Sequence, residues 1–338
     1  MYIENNQIRN YFSFWLASMF WIITLMIIIG GFTRLTDSGL SITQWQLFSG
    51  ILPPLNNSDW TNYFNLYKEI PEFKLQNYEM SLEEFKVIFW WEWIHRFLGR
   101  LIGIFFLIPL IFFSIKIGFK NLISLYLIFS LICFQGFIGW YMVSSGLTER
   151  VDVNHFRLSI HLIIAFIILS LILWNYFNIK IISYSNEKIK FSIIFIFLIL
   201  IFTQITIGAF VSGMDAGKIY NSWPMMGTTY FPDDSKFTNL FNFSAFSDPS
   251  LVQFMHRNLA YIIFLFYLFI LIKIYKNNLS KLYFAINLLG SLLIIQIILG
   301  ILTLIYGAHI IVASMHQISS IFLVSSTVYF VYLNLNTN

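Results

Sequence analysis

The chain has 338 residues, of which 58% are hydrophobic, 20% aromatic and only 11% charged, and its formal net charge is +4. Soluble domains carry roughly 25% charged residues, so a water-soluble globule is excluded. The few basic residues flank apolar runs instead of forming a basic tract, which excludes a nucleic-acid partner. The single cysteine, Cys133, excludes an intrachain disulfide and a thiolate metal cluster. We expect Cys133 to be buried.

Eight apolar runs reach the length of about 20 residues that a transmembrane helix needs. They cover residues 11–31, 87–114, 121–143, 157–178, 190–212, 252–273, 282–305 and 309–332. We therefore predict an all-α integral membrane protein with eight transmembrane helices, surrounded by membrane lipid. A polar start that leads directly into the first span predicts no cleavable signal or transit peptide. This favours a bacterial inner membrane over an organelle.

The connections between the predicted spans differ in charge. Lysines mark the short connections at residues 116–120, 180–190 and 273–281. Since basic connections stay in the cytoplasm, both chain termini are predicted to be cytoplasmic. The connections at 32–86, 144–156, 213–251 and 306–308 are then external. The first of them mixes aromatic and charged residues, which predicts amphipathic helices on the membrane surface.

The chain repeats itself, with one half at residues 11–178 and the other at 190–332. Four segments align in order: GGFTRLTDSG (30–39) with GAFVSGMDAG (208–217), EWIHRFLGR (92–100) with QFMHRNLAY (253–261), QGFIGW (135–140) with QIILGI (296–301), and SIHL (159–162) with SMHQ (314–317). Each half has four spans, an even number, so both halves have the same orientation. We predict two parallel, pseudo-symmetric four-helix bundles.

Four of the six histidines lie at equivalent positions near the external ends of spans: His95, His161, His256 and His316. One histidine in a span could be an ordinary core residue, but four at symmetric positions indicate a function. Two imidazoles per bundle leave a zinc shell incomplete, whereas a haem iron needs only two axial ligands. We therefore predict one haem site per half. The other two histidines, His155 in an external loop and His309, are interpreted as interfacial.

The two halves differ beside their histidine pairs. Glu92 lies one helical turn before His95, and Gln253 takes its place in the second half. This asymmetry predicts a reactive site in the first half and an electron-transfer haem in the second. The alternative is a structural carboxylate that pairs with Arg96, Arg100 or a lipid headgroup. Four external arginines are candidates for haem propionate contacts, although arginines at this depth also simply snorkel to the interface: Arg34, Arg96, Arg100 and Arg257.

Together these segments resemble the haem A synthase family, from about residue 12 to residue 330. The resemblance also includes VDVNHFRLSIHL around His161 and GAFVSGMDAGKIYNSWPMM after the fifth span. It implies an oxidoreductase that oxidises the C8 methyl group of haem O to a formyl group through an alcohol, giving haem A for cytochrome c oxidase. Some members carry a cysteine pair in the first external loop. This chain has none there, so it resembles the branch without that pair, and a cysteine relay is excluded.

The resemblance also implies roles for individual residues. His95 and His161 face the iron of the substrate haem O, and His256 and His316 ligate a resident haem b in the C-terminal half. Glu92 matches an acidic residue important for activity, and we expect it to stabilise cationic character or to accept a proton. A haem O synthase and assembly factors of cytochrome c oxidase are the expected protein partners, and a homo-oligomer is left open.

Two other classes of function compete with this interpretation. A two-haem electron carrier of the cytochrome b type explains both histidine pairs equally well, but it does not explain a glutamate in only one half. A transporter has only the repeat in its favour, and the broken helices typical of transporters are not apparent.

Overall fold

The computed structural model describes residues 5–45, 49–147, 151–180 and 188–335. Within these ranges the chain is helical and has no strand, with only an isolated bridge between Met226 and Thr229. Ten α-helices are present in this part of the chain: α1 (Asn6–Leu35), α2 (Asn57–Tyr67), α3 (Pro71–Leu75), α4 (Leu82–Ile117), α5 (Ile123–Gly146), α6 (His155–Lys180), α7 (Phe191–Gly213), α8 (Pro249–Lys276), α9 (Tyr283–Ile305) and α10 (Ile310–Leu335). The all-α class is confirmed.

Among the described residues, all of these except α2 and α3 belong to eight segments long and apolar enough to cross a membrane. The eight predicted spans are therefore confirmed, and the chain is a multi-pass membrane protein. The largest difference from prediction is a start five residues early, which occurs at α1 (Asn6) and at α4 (Leu82). At α4, Ser81 and Glu84 form a reciprocal capping box, which starts the helix in a polar stretch.

Helix α4 is longer than a bilayer requires. Its 36 residues extend over about 54 Å, against about 30 Å of hydrocarbon. Helices α2 and α3 pack on its first turns through a buried aromatic cluster that includes Trp60, Phe64, Phe85 and Phe89. The expectation of helices in this connection is confirmed. Their position on a membrane surface stays a prediction.

The second long connection, residues 214–248, contains short 3₁₀ turns at 216–218, 237–241 and 243–247. It ends where Asp248 caps α8 by accepting hydrogen bonds from the amides of Ser250 and Leu251. Pro249 occupies the first position of the helix, where a missing N–H costs nothing. The cap fixes where α8 starts, two turns before His256.

The chain divides into two compact units, residues 21–165 and residues 1–20 with 166–338. The first unit contains α2–α5, and the second contains α7–α10. In the second unit, the Asn334 side chain near the end of α10 bonds both the amide and the carbonyl of Ile189, at 2.7 and 3.1 Å. These units are cut within α1 and α6, whereas the repeat predicts halves at 11–178 and 190–332, which stay a prediction.

One expectation about the surface is wrong. Cys133 is exposed on α5 instead of buried. On a membrane-spanning helix an apolar side chain can face lipid, so an apolar run does not by itself imply burial inside the protein. Part of the lysine-rich connection at 180–190 lies outside the described residues.

Candidate functional site

The first histidine pair is brought together in the first unit. His95 on α4 and His161 on α6 face each other with ring centroids 6.4 Å apart and planes inclined by 51°. The Nδ1 atoms of both rings are buried, and neither has a hydrogen-bond partner among the described residues. Since buried polar atoms are normally paired, this arrangement indicates that the two rings serve a ligand.

Each of the four paired histidines packs against a glycine of the preceding long helix. A Cβ atom built on the glycine would lie 2.8 to 3.1 Å from the imidazole Cε1. The four contacts are Gly30 with His95, Gly139 with His161, Gly208 with His256, and Gly300 with His316. A Cβ at Gly30 or Gly300 would force the ring to move, and one at Gly139 or Gly208 would need a shift of a few tenths of an ångström, so glycine lets all four rings keep their positions.

The spacing of the first pair matches two axial ligands on one iron. A metal–imidazole bond is about 2.0–2.1 Å, so two rings on opposite sides of one metal have centroids about 6.3 Å apart. The observed 6.4 Å agrees with this value. No group of three or more His, Cys, Asp or Glu side chains that could hold a metal ion occurs in the described part of the chain. The pair therefore fits a group that brings its own equatorial ligands, as a porphyrin does.

The second pair lies in the second unit, with His256 on α8 and His316 on α10. Glutamine amides contact both rings. Gln204 on α7 lies 3.3 Å from Nε2 of His256 and donates to the His256 carbonyl at 3.1 Å. Gln296 on α9 lies 3.3 Å from Nδ1 of His316, and its own carbonyl oxygen accepts from Ser319.

The first pair has fewer polar contacts. Gln135, equivalent to Gln296, donates to the main-chain carbonyl of His161 at 2.8 Å. Met26 occupies the position equivalent to Gln204, by the same offset that aligns Gly30 with Gly208. The second pair is thus fixed by side-chain amides on both sides, whereas the first is not.

Glu92 is 2% exposed and is held from both sides. One carboxylate oxygen accepts from Nε and Nη2 of Arg96, at 3.0 and 2.6 Å. The other accepts from the Ser41 hydroxyl and the Ile42 amide, both at 2.7 Å. Arg96 also donates to the carbonyls of Ile42 and Gln44. The sequence therefore placed Glu92 correctly beside His95, and the structure adds a buried ion pair that fastens the first long connection to α4.

Gln253 and Arg257 occupy the equivalent place in the second unit. The amide nitrogen of Gln253 donates to the Ala216 carbonyl at 2.8 Å, and its oxygen accepts from Arg257 at 3.0 Å. Arg257 donates further to the main-chain carbonyls of Tyr220, Ser222 and Met225. Both long connections are thus fastened by an arginine four residues after a glutamate or glutamine.

The remaining candidate arginines lie in the first unit. Arg34 pairs with Asp37 at 2.5 Å, at the end of α1. Arg100 lines a pocket beneath the first long connection, together with Arg96, Trp93, Phe89, Tyr63 and Leu52. Cationic and aromatic side chains therefore meet at the end of α4 that carries His95.

Two histidines were placed from sequence only approximately. His155 is the first residue of α6, whereas we had expected it to lie in a loop. The Asn154 side chain accepts from the amides of Phe156 and Arg157, which caps the helix and starts it two residues early. His309 directly precedes α10.

Sequence reasoning missed a buried polar cluster in the first long connection. The hydroxyl of Tyr67 donates to Glu72 at 2.9 Å, and Asn77 donates to that hydroxyl at 2.8 Å. Burial raises the pKa of Glu72 to about 8, although the hydrogen bond from Tyr67 acts in the opposite direction. Burial also raises the pKa of Tyr67. No motif marks these residues, since the charged surroundings hide a buried position.

Comparison with known proteins agrees with this geometry. A protein named heme A synthase from Pelagibacter ubique is 48% identical over the full length of both chains. Proteins of the same name from Rickettsia bellii and Rickettsia prowazekii are 43% and 40% identical, over 93% and 96% of this chain and 96% and 99% of theirs. The family of cytochrome oxidase assembly proteins named COX15-CtaA matches residues 13–328, and the chain belongs to that family.

Proposed function

We propose that this protein is a haem A synthase, an oxidoreductase that converts the C8 methyl group of haem O to a formyl group through a hydroxymethyl intermediate. The observation that carries the proposal is the facing pair of His95 and His161, 6.4 Å apart, in a chain similar over its whole length to proteins of that name. The distance between the two histidine rings suits the iron of a haem, and the proposed reaction follows from the name of the similar proteins.

The two histidine pairs take different roles in this proposal. His95 and His161 bind the iron of the substrate haem O. His256 and His316 bind a resident haem b, which supplies electron transfer when it is bound. The glutamine amides reach ring nitrogens of His256 and His316, so these contacts have to open when an iron binds those nitrogens. The buried Nδ1 atom of His256 has no hydrogen-bond partner among the described residues, as is also the case for His95 and His161.

Glu92 is the proposed catalytic carboxylate, because it is the ionisable group one turn from His95. Its two oxygens are engaged by Arg96, Ser41 and Ile42. If Glu92 accepts a proton, one of these bonds has to open. If it stabilises cationic character, the ion pair with Arg96 stays closed and the carboxylate acts through space.

The test is the Glu92→Gln variant, assayed for turnover of haem O and for bound haem b. We expect turnover to fall by about 10²-fold or more, with haem b content unchanged. Unchanged turnover would show that Glu92 is structural only. A parallel loss of haem b and of folded protein would assign it to the fold.

The candidate propionate contacts are narrowed by geometry. Of the four candidates, Arg96 and Arg100 line the same pocket, and Arg100 lies one turn further into α4 than Arg96. Arg100 lines the pocket with aromatic side chains, so we propose it as the principal propionate contact of the first half. Arg100→Lys keeps the positive charge but loses the guanidinium group that binds a carboxylate through two hydrogen bonds. We therefore expect this variant to bind haem O more weakly.

The proposed setting is the bacterial inner membrane, with both termini cytoplasmic and the histidine pairs toward the external face. Lysines at the opposite helix ends support this orientation, as the positive-inside rule requires. They include Lys116, Lys180, Lys273 and Lys276. A haem O synthase and oxidase assembly factors remain the proposed partners.

The two halves are proposed to be parallel repeats, at residues 11–178 and 190–332. The four glycine–histidine contacts occur in the same order in each half, on successive pairs of long helices. This regularity also favours the second candidate function, a two-haem b-type electron carrier, because it treats all four histidines alike.

Haem extraction separates the two functions. The protein is purified from cells that also make haem O, and its haems are identified by chromatography. Haem b together with haem O and haem A supports the synthase. Haem b alone, at two per chain, favours the electron carrier and excludes the catalytic role of the first half.

A further inference from the structure

The two halves differ in the space that lies inward of their histidine pairs. Cβ atoms built on Gly103 of α4 and Gly136 of α5 meet no atom within 4 Å among the described residues. In the repeat, the offset of 161 residues that aligns His95 with His256 and Gln135 with Gln296 places Phe264 and Ile297 at these positions. The first half is therefore open where the second half carries large side chains.

Both glycines lie on helices that form the histidine site, since α4 carries His95 and α5 carries Gly139. Gly136 lies one turn inward of Gly139, which packs against His161. Gly103 lies eight residues inward of His95, which corresponds to about 12 Å along α4. Deeper in the unit, the rings of Phe106 and Phe129 are stacked, with centroids 6.2 Å apart.

The second half has large residues where the first half has Gly103 and Gly136, and a glycine where the first half has Phe129. Phe264 stacks on Tyr267, and the Tyr267 hydroxyl lies so close to Gly290 that no Cβ would fit there. Gly290 is the repeat equivalent of Phe129. Large and small residues have thus changed places between the halves at these three positions, and only the first half has open space at its glycines.

We propose that Gly103 and Gly136 form the seat of the isoprenoid chain of haem O and so determine specificity for it over haem b. This inference rests on the proposed function. The neighbouring iron site also points to a ligand in this unit, because the buried Nδ1 atoms of His95 and His161 have no partner in the described part of the chain.

The chemistry of the substrate fits the layout of α4. Haem O differs from haem b by a long apolar chain on the porphyrin edge away from the propionates. Arg96 and Arg100 reach toward the first long connection, and the glycines lie on the inward side of His95. A porphyrin with its propionates at the arginines directs its chain toward Gly103 and Gly136, where phenylalanine and isoleucine in the second half leave no equivalent room.

The experiment measures binding of haem O and of haem b to the purified full-length protein by absorbance titration. Gly103→Phe and Gly136→Ile introduce the residues that the repeat itself carries. The matched controls Gly103→Ala and Gly136→Ala add only a Cβ that meets nothing. We expect each large variant to weaken haem O binding about tenfold or more, because several methylene contacts are lost, and haem b binding to change less than about threefold.

Haem b held by His256 and His316 reports folding in every variant, and the two large variants at separate sites protect against failure of one to fold. If wild-type protein prefers haem O but both large variants retain the same preference, the inference is wrong and the proposed function stands. If wild-type protein binds haem O no better than haem b and does not convert it, the proposed function itself fails.

Discussion

Two clusters of hydrogen bonds hold the long connections on α4 and α8. They differ in the helix residue, which is a glutamate in the first unit and a glutamine in the second. In the first unit, the Ser41 hydroxyl and the Ile42 amide of the connection donate hydrogen bonds to the carboxylate of Glu92 on α4. In the second unit, the amide of Gln253 on α8 donates a hydrogen bond to the Ala216 carbonyl of the connection. The choice of glutamate or glutamine therefore follows from which groups the connection presents.

This comparison changes how strongly the presence of a glutamate in only one half supports a reactive site there. From sequence, a carboxylate in only one half favours a reactive site there. In the structure, the same asymmetry also has a structural cause, because a buried carboxylate needs donors and a buried amide needs an acceptor. Kinetics on Glu92→Gln are accordingly required before a catalytic role follows. The histidines and their glycines, in contrast, are alike in both halves.

The largest expected effect comes from removing one histidine in each half. His256→Ala should eliminate the resident haem b, reducing bound haem b more than about tenfold, because one axial ligand is lost. His95→Ala should leave haem b in place and eliminate haem O binding. Haem content measured by extraction checks both variants. Loss of haem b from His95→Ala as well would contradict separate sites.

The glycine contacts give the next largest effect. Gly300→Ala places a Cβ about 2.9 Å from Cε1 of His316, so the ring has to move, and we expect bound haem b to fall several-fold. Gly136→Ala is the matched control, since it adds the same methyl group in open space and improves helix propensity by roughly 1 kcal/mol. The absorption spectrum of the purified protein measures the difference. Equal spectra for the two variants would show that the close contact is not a constraint.

Much of this architecture was predictable because membrane spans obey simple rules of length and polarity. The eight spans and the pairing of His95 with His161 followed from apolar runs and the repeat. The glycines that contact the histidines lie within the aligned motifs, yet a glycine in a motif does not reveal which ring it contacts. That information depends on how helices pack.

Other features could not be predicted, for physical reasons. Glu72 is buried against Tyr67, but charged residues flank it along the chain, so its local sequence resembles that of a solvated surface. The exposure of Cys133 depends on which face of α5 meets lipid, and apolar residues occur on both faces. The fastening role of Arg96 depends on main-chain carbonyls, which leave no mark in a sequence.

Exchange of the fastening residues should have a smaller effect. Gln253→Glu places a carboxylate oxygen against the Ala216 carbonyl, and Glu92→Gln removes the buried ion pair with Arg96. We expect each to cost about 1–3 kcal/mol, which corresponds to a fall of about 2–10 °C in the thermal midpoint. Glu83→Gln, at an exposed ion pair with Lys86, is the control and should change the midpoint little. A more stable Gln253→Glu variant would refute the match between helix residue and connection.

The smallest effect concerns the pH dependence of the first long connection. Burial raises the pKa of Glu72 from its usual 4.5 to about 8, and repulsion from Glu92, Asp152 and Asp37 adds to this. Below pH 4.5 the carboxyl is protonated whether the connection is folded or not, so it costs nothing. Between pH 4.5 and about 8 the unfolded form ionises first, so stability falls as pH rises, and the loss is complete above about pH 8.

Glu72→Gln should remove this dependence, because a neutral amide can still accept the hydrogen bond from Tyr67. Hydrogen exchange of residues 57–77, compared at pH 5.5 and 8 after correction for the intrinsic rate, should show increased opening at pH 8 in wild-type protein and little change in the variant. Glu69→Gln, at an exposed carboxylate paired with Lys74, should behave as wild type. Because only local contacts are involved, the global thermal midpoint should move by no more than about 2–4 °C. A pH profile that is the same in Glu72→Gln and wild-type protein would show that another group controls opening of this connection.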